Sequence, residues 1–131
     1  MLVEQIAVGN SLRNYMYLVA CAETREAVAI DPLDHASLLA RARTLGWDIR
    51  GVLNTHEHHD HIGGNDELKA EYGCPIVGPR SEMERIAGMD VLVSEGDSYA
   101  VGTQTAKVIE TPGHTTGHIA FHFGDSNALF C

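Results

Sequence analysis

Cysteine is scarce in this sequence, and its spacing excludes two common kinds of small protein. Three cysteines, Cys21, Cys74 and Cys131, occur in 131 residues, and no two of them form a CxxC pair. An odd number of widely separated cysteines argues against a disulfide framework, and the missing CxxC pair argues against a thiolate zinc knuckle. We therefore expect a reduced protein whose cysteines pack as small apolar side chains.

Basic residues are also few. Nine Lys and Arg stand against 18 Asp and Glu, which gives a formal net charge of −9 and a pI near 5.2. A negative protein repels a phosphate backbone, so we expect no nucleic-acid partner.

Long apolar runs are missing as well. No window approaches the roughly 18 apolar residues of a membrane span, and Glu4 and Gln5 interrupt the N-terminal run, which excludes a signal peptide. We therefore predict a cytoplasmic protein without a membrane partner. With 44% hydrophobic and 21% charged residues, the chain has the composition of a folded domain, which we assign to residues 1–131.

Strand and helix patterns follow one another along the chain. Strands are predicted at residues 2–8, 15–21, 27–31, 49–54, 74–77, 105–110 and 118–123, with a last one opening at 128. Helices are predicted at residues 34–45, 65–73 and 81–87, residues 95–97 are predicted to be a hairpin turn, and Pro75 marks 74–77 as an edge strand. This mixture predicts an α/β (α+β) sandwich. Because the last strand stops at Cys131, we expect the domain to be truncated at its C-terminus.

Histidine is the residue in excess, since six of the eight histidines lie in two short clusters. The first cluster is Thr55-His56-Glu57-His58-His59-Asp60-His61-Ile62-Gly63-Gly64, between a predicted strand and a predicted helix. Alternate side chains of an extended chain share a face, so His56, His58 and Asp60 point one way. His59 then points the other way, and His61 can join the first group where the backbone bends. Converging imidazole and carboxylate donors suit zinc, iron or manganese.

Two alternatives compete with a metal site at this cluster. His56 and Glu57 begin the HExxH pattern of helical zinc proteases, but Asp60 stands where the second histidine belongs. A solvated, merely His-rich loop is the other alternative. Four histidines and one aspartate within residues 56–61, after an apolar strand, disfavour it.

The second cluster is Thr111-Pro112-Gly113-His114-Thr115-Thr116-Gly117-His118. Pro112 and Gly113 predict a tight turn that presents His114 at the same end of the sheet as the first cluster. His118 has three roles open to it, as a ligand, as a partner of a ligand or as a core histidine, and taken alone it is best explained as a core residue. His35 and His122 are interpreted as surface or half-buried side chains.

The two clusters together resemble the signature of the metallo-β-lactamase fold superfamily, whose members are metal-dependent hydrolases built as a four-layer αββα sandwich. Three further segments are similar to the glyoxalase II family within it: Asn14-Tyr15-x-Tyr17-Leu18, Ile30-Asp31-Pro32 and the strand leading into Thr55. The likeness covers essentially the whole chain and implies that the chain supplies roughly the first half of the sandwich.

The resemblance also implies a set of metal ligands. It makes His56, His58 and His114 the ligands of one ion, and Asp60 and His61 ligands of a second. Asp60 would in addition orient the attacking hydroxide, which makes it the catalytic residue. In the family a bridging aspartate and a further histidine come later than residue 131. The expected cofactor is therefore zinc, with iron or manganese as alternatives, as two ions in a complete site and one in this chain.

Thioester hydrolysis is the function that the resemblance implies, with a substrate of the S-lactoylglutathione type attacked by a metal-activated hydroxide. Other enzymes with this histidine signature remain open: a persulfide dioxygenase with one iron, a lactonase, a β-lactamase or a tRNA-processing nuclease, the last disfavoured by the acidic charge. The non-enzyme hypothesis is an inactive metal-binding fragment. A truncated sheet would expose apolar surface, so self-association is expected.

Overall fold

The first of two sheets contains six strands that hydrogen-bond in the order in which they occur along the chain. The computed structural model describes residues 1–7, 15–56, 59–111 and 117–131, and for 59 and 60 only the backbone. The strands are β1 (Leu2–Ala7), β2 (Tyr15–Ala20), β3 (Glu26–Ile30), β4 (Asp48–Leu53), β5 (Ile76–Pro79) and β6 (Val91–Val93). The pairs β1–β2 and β2–β3 are antiparallel, whereas β3 to β6 run parallel. The carboxyl ends of four strands therefore meet at one edge of the sheet.

The second sheet is antiparallel throughout, in the order β10-β9-β8-β7. Its strands are β7 (Ser98–Val101), β8 (Gln104–Glu110), β9 (Ile119–Phe123) and β10 (Ala128–Phe130). Alternation along β9 buries Phe121 and Phe123 on the inner face and leaves His122 on the outer face, opposite Lys107.

In the part of the chain that the structure describes, three α-helices connect strands of the first sheet: α1 (His35–Leu45), α2 (His59–Ile62) and α3 (Asn65–Tyr72). Asp34 caps α1 by accepting a hydrogen bond from the Ser37 N–H at 3.2 Å, and Gly46 ends it with φ 71°. This confirms the predicted start and end of α1. Leu38, Ala42 and Leu68 attach α1 and α3 to the outer face of the first sheet.

Two apolar clusters hold the layers together. One lies between the helices and the first sheet, and the other lies between the two sheets. Val19, Val28, Ile30 and Leu53 of the first sheet belong to the second cluster, together with aromatic residues of β9 and β10. A helix layer and two sheets thus make three successive layers of the predicted α/β sandwich.

Three local predictions are wrong. Residues Arg80–Glu82 form a single 3₁₀ turn followed by further turns instead of a helix at 81–87, because seven residues are too few to sustain a helix by themselves. Strand β5 is an inner strand between β4 and β6, since Pro75 lies before it and interrupts no ladder. The turn at 95–97 joins β6 of the first sheet to β7 of the second, so it is no hairpin. Among the described residues, no helix is long and apolar enough to cross a membrane.

Candidate metal centre

The polar residues of the candidate site follow directly after neighbouring parallel strands. Asp31 comes after β3, and Asn54, Thr55 and His56 come after β4. Ligands of such sheets bind outside the carboxyl ends of the strands, where these side chains meet.

Asp31 is the buried anchor of this edge. It is 4% exposed and has φ 49°, a left-handed conformation that aspartate tolerates better than most residues. Its Oδ1 accepts a hydrogen bond from the Thr55 N–H at 2.8 Å, and its Oδ2 accepts one from the Thr55 hydroxyl at 2.6 Å. Its own N–H donates to the Leu53 carbonyl at 2.9 Å. The end of β3 is thereby joined to the end of β4.

Thr55, held by Asp31, in turn hydrogen-bonds to the ring of His56. The Thr55 hydroxyl has one proton, which it donates to Asp31, so Oγ1 acts as an acceptor toward His56 Nδ1 at 2.7 Å. His56 Nδ1 must then carry the proton, and the lone pair of the buried ring lies on Nε2. A histidine whose Nδ1–H is hydrogen-bonded in this way is prepared for metal binding through Nε2.

The helical turn α2 brings His61 to the same place. Its Nδ1 lies 3.2 Å from Asp31 Oδ2, and its ring centroid lies 4.2 Å from that of His56. One donor atom each of Asp31, His56 and His61 lie within 4.8 Å of one another. Two donors on one ion, with bonds of about 2.0–2.2 Å, lie at most about 4.4 Å apart. The cluster is thus close to the size of a metal site, and its imidazole and carboxylate donors fit zinc, iron or manganese.

His118, the residue directly before β9 of the second sheet, also lies at the cluster. The Ile119 N–H donates to the Thr55 carbonyl at 2.9 Å, which ties the start of β9 to the first histidine segment. The His118 ring then stacks on His56, with centroids 4.5 Å apart and an angle of 27° between the planes. Of the roles open to His118, the structure supports contact with the candidate ligand His56.

Gly117 is packed against a buried carboxylate. A Cβ added at Gly117 would overlap the Glu82 side chain, so any larger residue there would require Glu82 to move. Glu82 itself is 1% exposed and pairs with Arg85 at 3.0 Å. The 3₁₀ turn after β5 thereby fixes the chain just before His118.

Of the predicted ligands, His56 and His61 are brought together. His58, His114 and the side chains of His59 and Asp60 lie outside the described residues, so their placement stays a prediction. The extended backbone predicted for residues 56–60 is wrong at His59 and Asp60, because these two residues begin the helix α2. His35 and His122 are half-buried, as predicted. Asp31 and Thr55 have roles at the site that local pattern does not predict. The available signal was an aspartate directly after a strand that runs parallel to the histidine-bearing strand.

Comparisons with known proteins agree with this arrangement. The profile of the Metallo-beta-lactamase superfamily matches residues 11–131. The chain is similar to a hydroxyacylglutathione hydrolase of Rhodospirillum rubrum, with 51% identity over 129 residues that cover 98% of this chain and 50% of the relative. The chain thus spans about half the length of the curated relatives it matches.

Solved structures show the same likeness. The crystal structure of ETHE1 from Myxococcus xanthus has a TM-score of 0.84 and 32% identity, covering 95% of this chain and 55% of that one. The structure of TTHA1623 in a di-iron-bound form has a TM-score of 0.78 and 26% identity, covering 96% and 69%. The strand order, the histidine cluster at the sheet edge and the match over residues 11–131 all agree, and the chain belongs to the metallo-β-lactamase superfamily.

Proposed function

We propose that this chain forms the metal-binding half of a hydrolase that cleaves glutathione thioesters of the S-lactoylglutathione type. The observation that carries the proposal is the 51% identity to a hydroxyacylglutathione hydrolase over nearly the whole chain. The cluster at the sheet edge supports it. His56 and His61 offer imidazole donors suited to a hydrolytic metal ion, and Asp31 hydrogen-bonds to His61 and to the Thr55 hydroxyl that holds His56.

The proposed ligands divide into two groups. His56, His58 and His114 would hold the first ion, and Asp60 and His61 would contribute to a second, with zinc as the preferred metal. Asp31 has a different role, since both of its oxygens already accept hydrogen bonds from Thr55. We assign it the orienting role that carboxylates often have toward metal-binding histidines.

The chemistry follows from this division of roles. A metal ion bound by these side chains would supply Lewis-acid activation of water and of the thioester carbonyl. Asp31 and Thr55 keep the His56 proton on Nδ1, so that the ring presents Nε2. Asp60 would orient the attacking oxygen. The leaving group is a thiolate, which needs no strong general acid.

Hydrolysis of S-lactoylglutathione by the purified, zinc-loaded protein tests the proposal, with release of the glutathione thiol as the signal. His56→Ala should lower the rate and the zinc content by about 100-fold or more, because it removes a ligand. His122→Ala is the matched control, since His122 lies on the outer face of the second sheet. Equal rates in the two variants, or a rate that survives full removal of metal by a chelator, would contradict the proposal.

An iron-dependent dioxygenase is the second candidate. Two histidines and one carboxylate gather at the site, which is the donor set of mononuclear iron oxygenases. The hydrogen bonds from Thr55 to both Asp31 oxygens argue against Asp31 as the carboxylate ligand of such a site. Oxygen uptake with glutathione persulfide by the iron-loaded protein, without thioester hydrolysis, would favour this candidate.

A further inference from the structure

Two buried asparagines face each other beneath the first histidine segment. Asn54 is fully buried and Asn65 is 4% exposed. Asn54 Nδ2 donates to Asn65 Oδ1 at 3.2 Å, and Asn65 Nδ2 donates to Asn54 Oδ1 at 2.6 Å. The two amides therefore form a reciprocal pair, which we call the amide clasp.

The amide clasp joins the two ends of the segment 55–64. Asn54 follows β4, and its N–H donates to the Val77 carbonyl of β5 at 2.8 Å, so one end is anchored in the parallel sheet. Asn65 is the first residue of α3, whose Leu68 is buried in the core beneath the helices. Both anchors are parts of the rigid fold, and a bond between them fixes the span and entry angle of the segment between them.

The clasp also touches the segment that it closes. Asn54 Nδ2 donates a second hydrogen bond, to the His61 carbonyl at 3.4 Å. His61 is one of the donors gathered at the candidate metal centre. The Asn54 amide is thus the buried group through which the sheet, the start of α3 and the backbone of a candidate ligand are connected.

We propose that Asn54 and Asn65 are positioning residues of the metal centre, with Asn54 the more important because it alone of the two also holds the His61 carbonyl. This inference rests on the proposed function, in that it requires metal binding at this edge. The clasp restricts the two ends of segment 55–64 to the arrangement in which His56 and His61 lie together. Residues that orient metal ligands typically change metal affinity by about 10- to 100-fold when they are replaced.

The two asparagines can be tested separately with nearly isosteric variants. Asn54→Asp removes both donors of Asn54, the one to Asn65 and the one to the His61 carbonyl. Asn65→Asp removes only the donor to Asn54 and leaves the bond to His61 intact. Asn127→Asp, on an exposed turn between β9 and β10, adds the same charge at a remote position and serves as the matched control. An added carboxylate attracts a cation, so a weaker site in the clasp variants would have to arise from lost positioning.

The measurement is the dissociation constant for zinc by chelator competition, together with the visible spectrum of the cobalt-substituted protein, which reports the geometry around the ion. We expect Asn54→Asp to weaken binding about 10- to 100-fold and to alter the cobalt spectrum. Asn65→Asp should weaken it by less, and Asn127→Asp should match the wild type.

Other results contradict either the positioning role of the clasp or the proposed function. Wild-type affinity in a folded Asn54→Asp protein, even with a lowered melting temperature, would show a purely structural role and overturn the inference. If Asn54→Asp does not fold, Asn65→Asp decides, and wild-type affinity in that variant overturns it. A wild-type protein that binds no zinc, cobalt, iron or manganese contradicts the proposed function and the positioning role with it.

Discussion

The two histidine segments, one after β4 and one before β9, meet at the same edge of the first sheet but are held there by different interactions. The segment after β4 is held by buried polar side chains, with Asp31 on Thr55 and the amide clasp across its ends. The segment before β9 is held, in its described part, by the Thr111 N–H to His118 carbonyl bond of 2.9 Å and by the close packing of Gly117 on Glu82.

This difference determines what each segment tolerates. Removing a hydrogen-bonding group should damage the first segment, because its partners remain buried and unsatisfied. Adding atoms should damage the second segment, because its contact with Glu82 leaves no space for a side chain. The Ile119 N–H to Thr55 carbonyl bond couples the two, so damage to either should reach the metal centre.

Asp31→Ala should produce the largest loss of stability, about 3–8 kcal/mol. It leaves the Thr55 N–H and hydroxyl without their acceptor, at about 1–3 kcal/mol each, and places alanine in a left-handed conformation that costs about 1–2 kcal/mol. Urea unfolding of the metal-free protein measures the loss. Asp31→Asn is the control, because it keeps an acceptor for the Thr55 N–H, and it should lose less than half as much. A loss of no more than about 1 kcal/mol in Asp31→Ala would show that the Asp31 carboxylate does not anchor the first segment.

Gly117→Ala should cost about 1–3 kcal/mol through overpacking, since the new Cβ would overlap Glu82. Glu82→Ala in the same chain should relieve much of that cost, so that the double variant is more stable than the sum of the single losses predicts. Arg85 is 62% exposed at its side chain and regains water when Glu82 is removed. Strict additivity of the two substitutions, measured by the same unfolding experiment, would mean that the glycine does not act through Glu82.

Lys69→Met should have the smallest effect and provides a baseline remote from both segments. Lys69 binds Asp90 at 2.8 Å on the surface, where an ion pair is worth less than about 1 kcal/mol. The hydrogen bond from Lys69 lowers the pKa of Asp90 below its usual value. A lowered carboxyl pKa stabilises the fold above the unfolded pKa of about 3.9, and this contribution disappears as the pH falls through the folded pKa.

The stability difference between Lys69→Met and the wild type should therefore vanish in acid, while zinc affinity stays unchanged at neutral pH. Lys107→Met, an exposed lysine on the second sheet, is the control and should show no such pH dependence. If Lys69→Met lost more free energy of unfolding than Gly117→Ala, surface charge would contribute more to this fold than the packing of Gly117 on Glu82.

Local pattern predicts α1, α3 and eight of the strands, but not α2, β6 or β7. Asp34 and Gly46 set the limits of α1, and the predicted strands agree with the structure to within about two residues. Local pattern gives no information about which sheet a strand joins, so the hairpin predicted at 95–97 is wrong. The next turn along the chain, at Gly102 with φ 57°, is the one that joins two antiparallel neighbours, β7 and β8.

The candidate site could be predicted only in part. Local density revealed His56 and His61, which lie five positions apart. Asp31 is 25 positions before His56 and reaches it only because β3 and β4 pair in parallel. Asn54 and Asn65 resemble ordinary strand-end and helix-start residues in the sequence, and their pairing depends on how the segment between them folds back.

A crystal structure of the zinc-soaked protein, with anomalous data at the zinc edge, tests the central claim most directly. We expect an anomalous peak within bonding distance of His56 Nε2, with His56 Nδ1 still hydrogen-bonded to Thr55 and both Asp31 oxygens still accepting from Thr55. A peak on Asp31 with the Thr55 bonds broken, or no peak at His56 while zinc binds elsewhere, would contradict it.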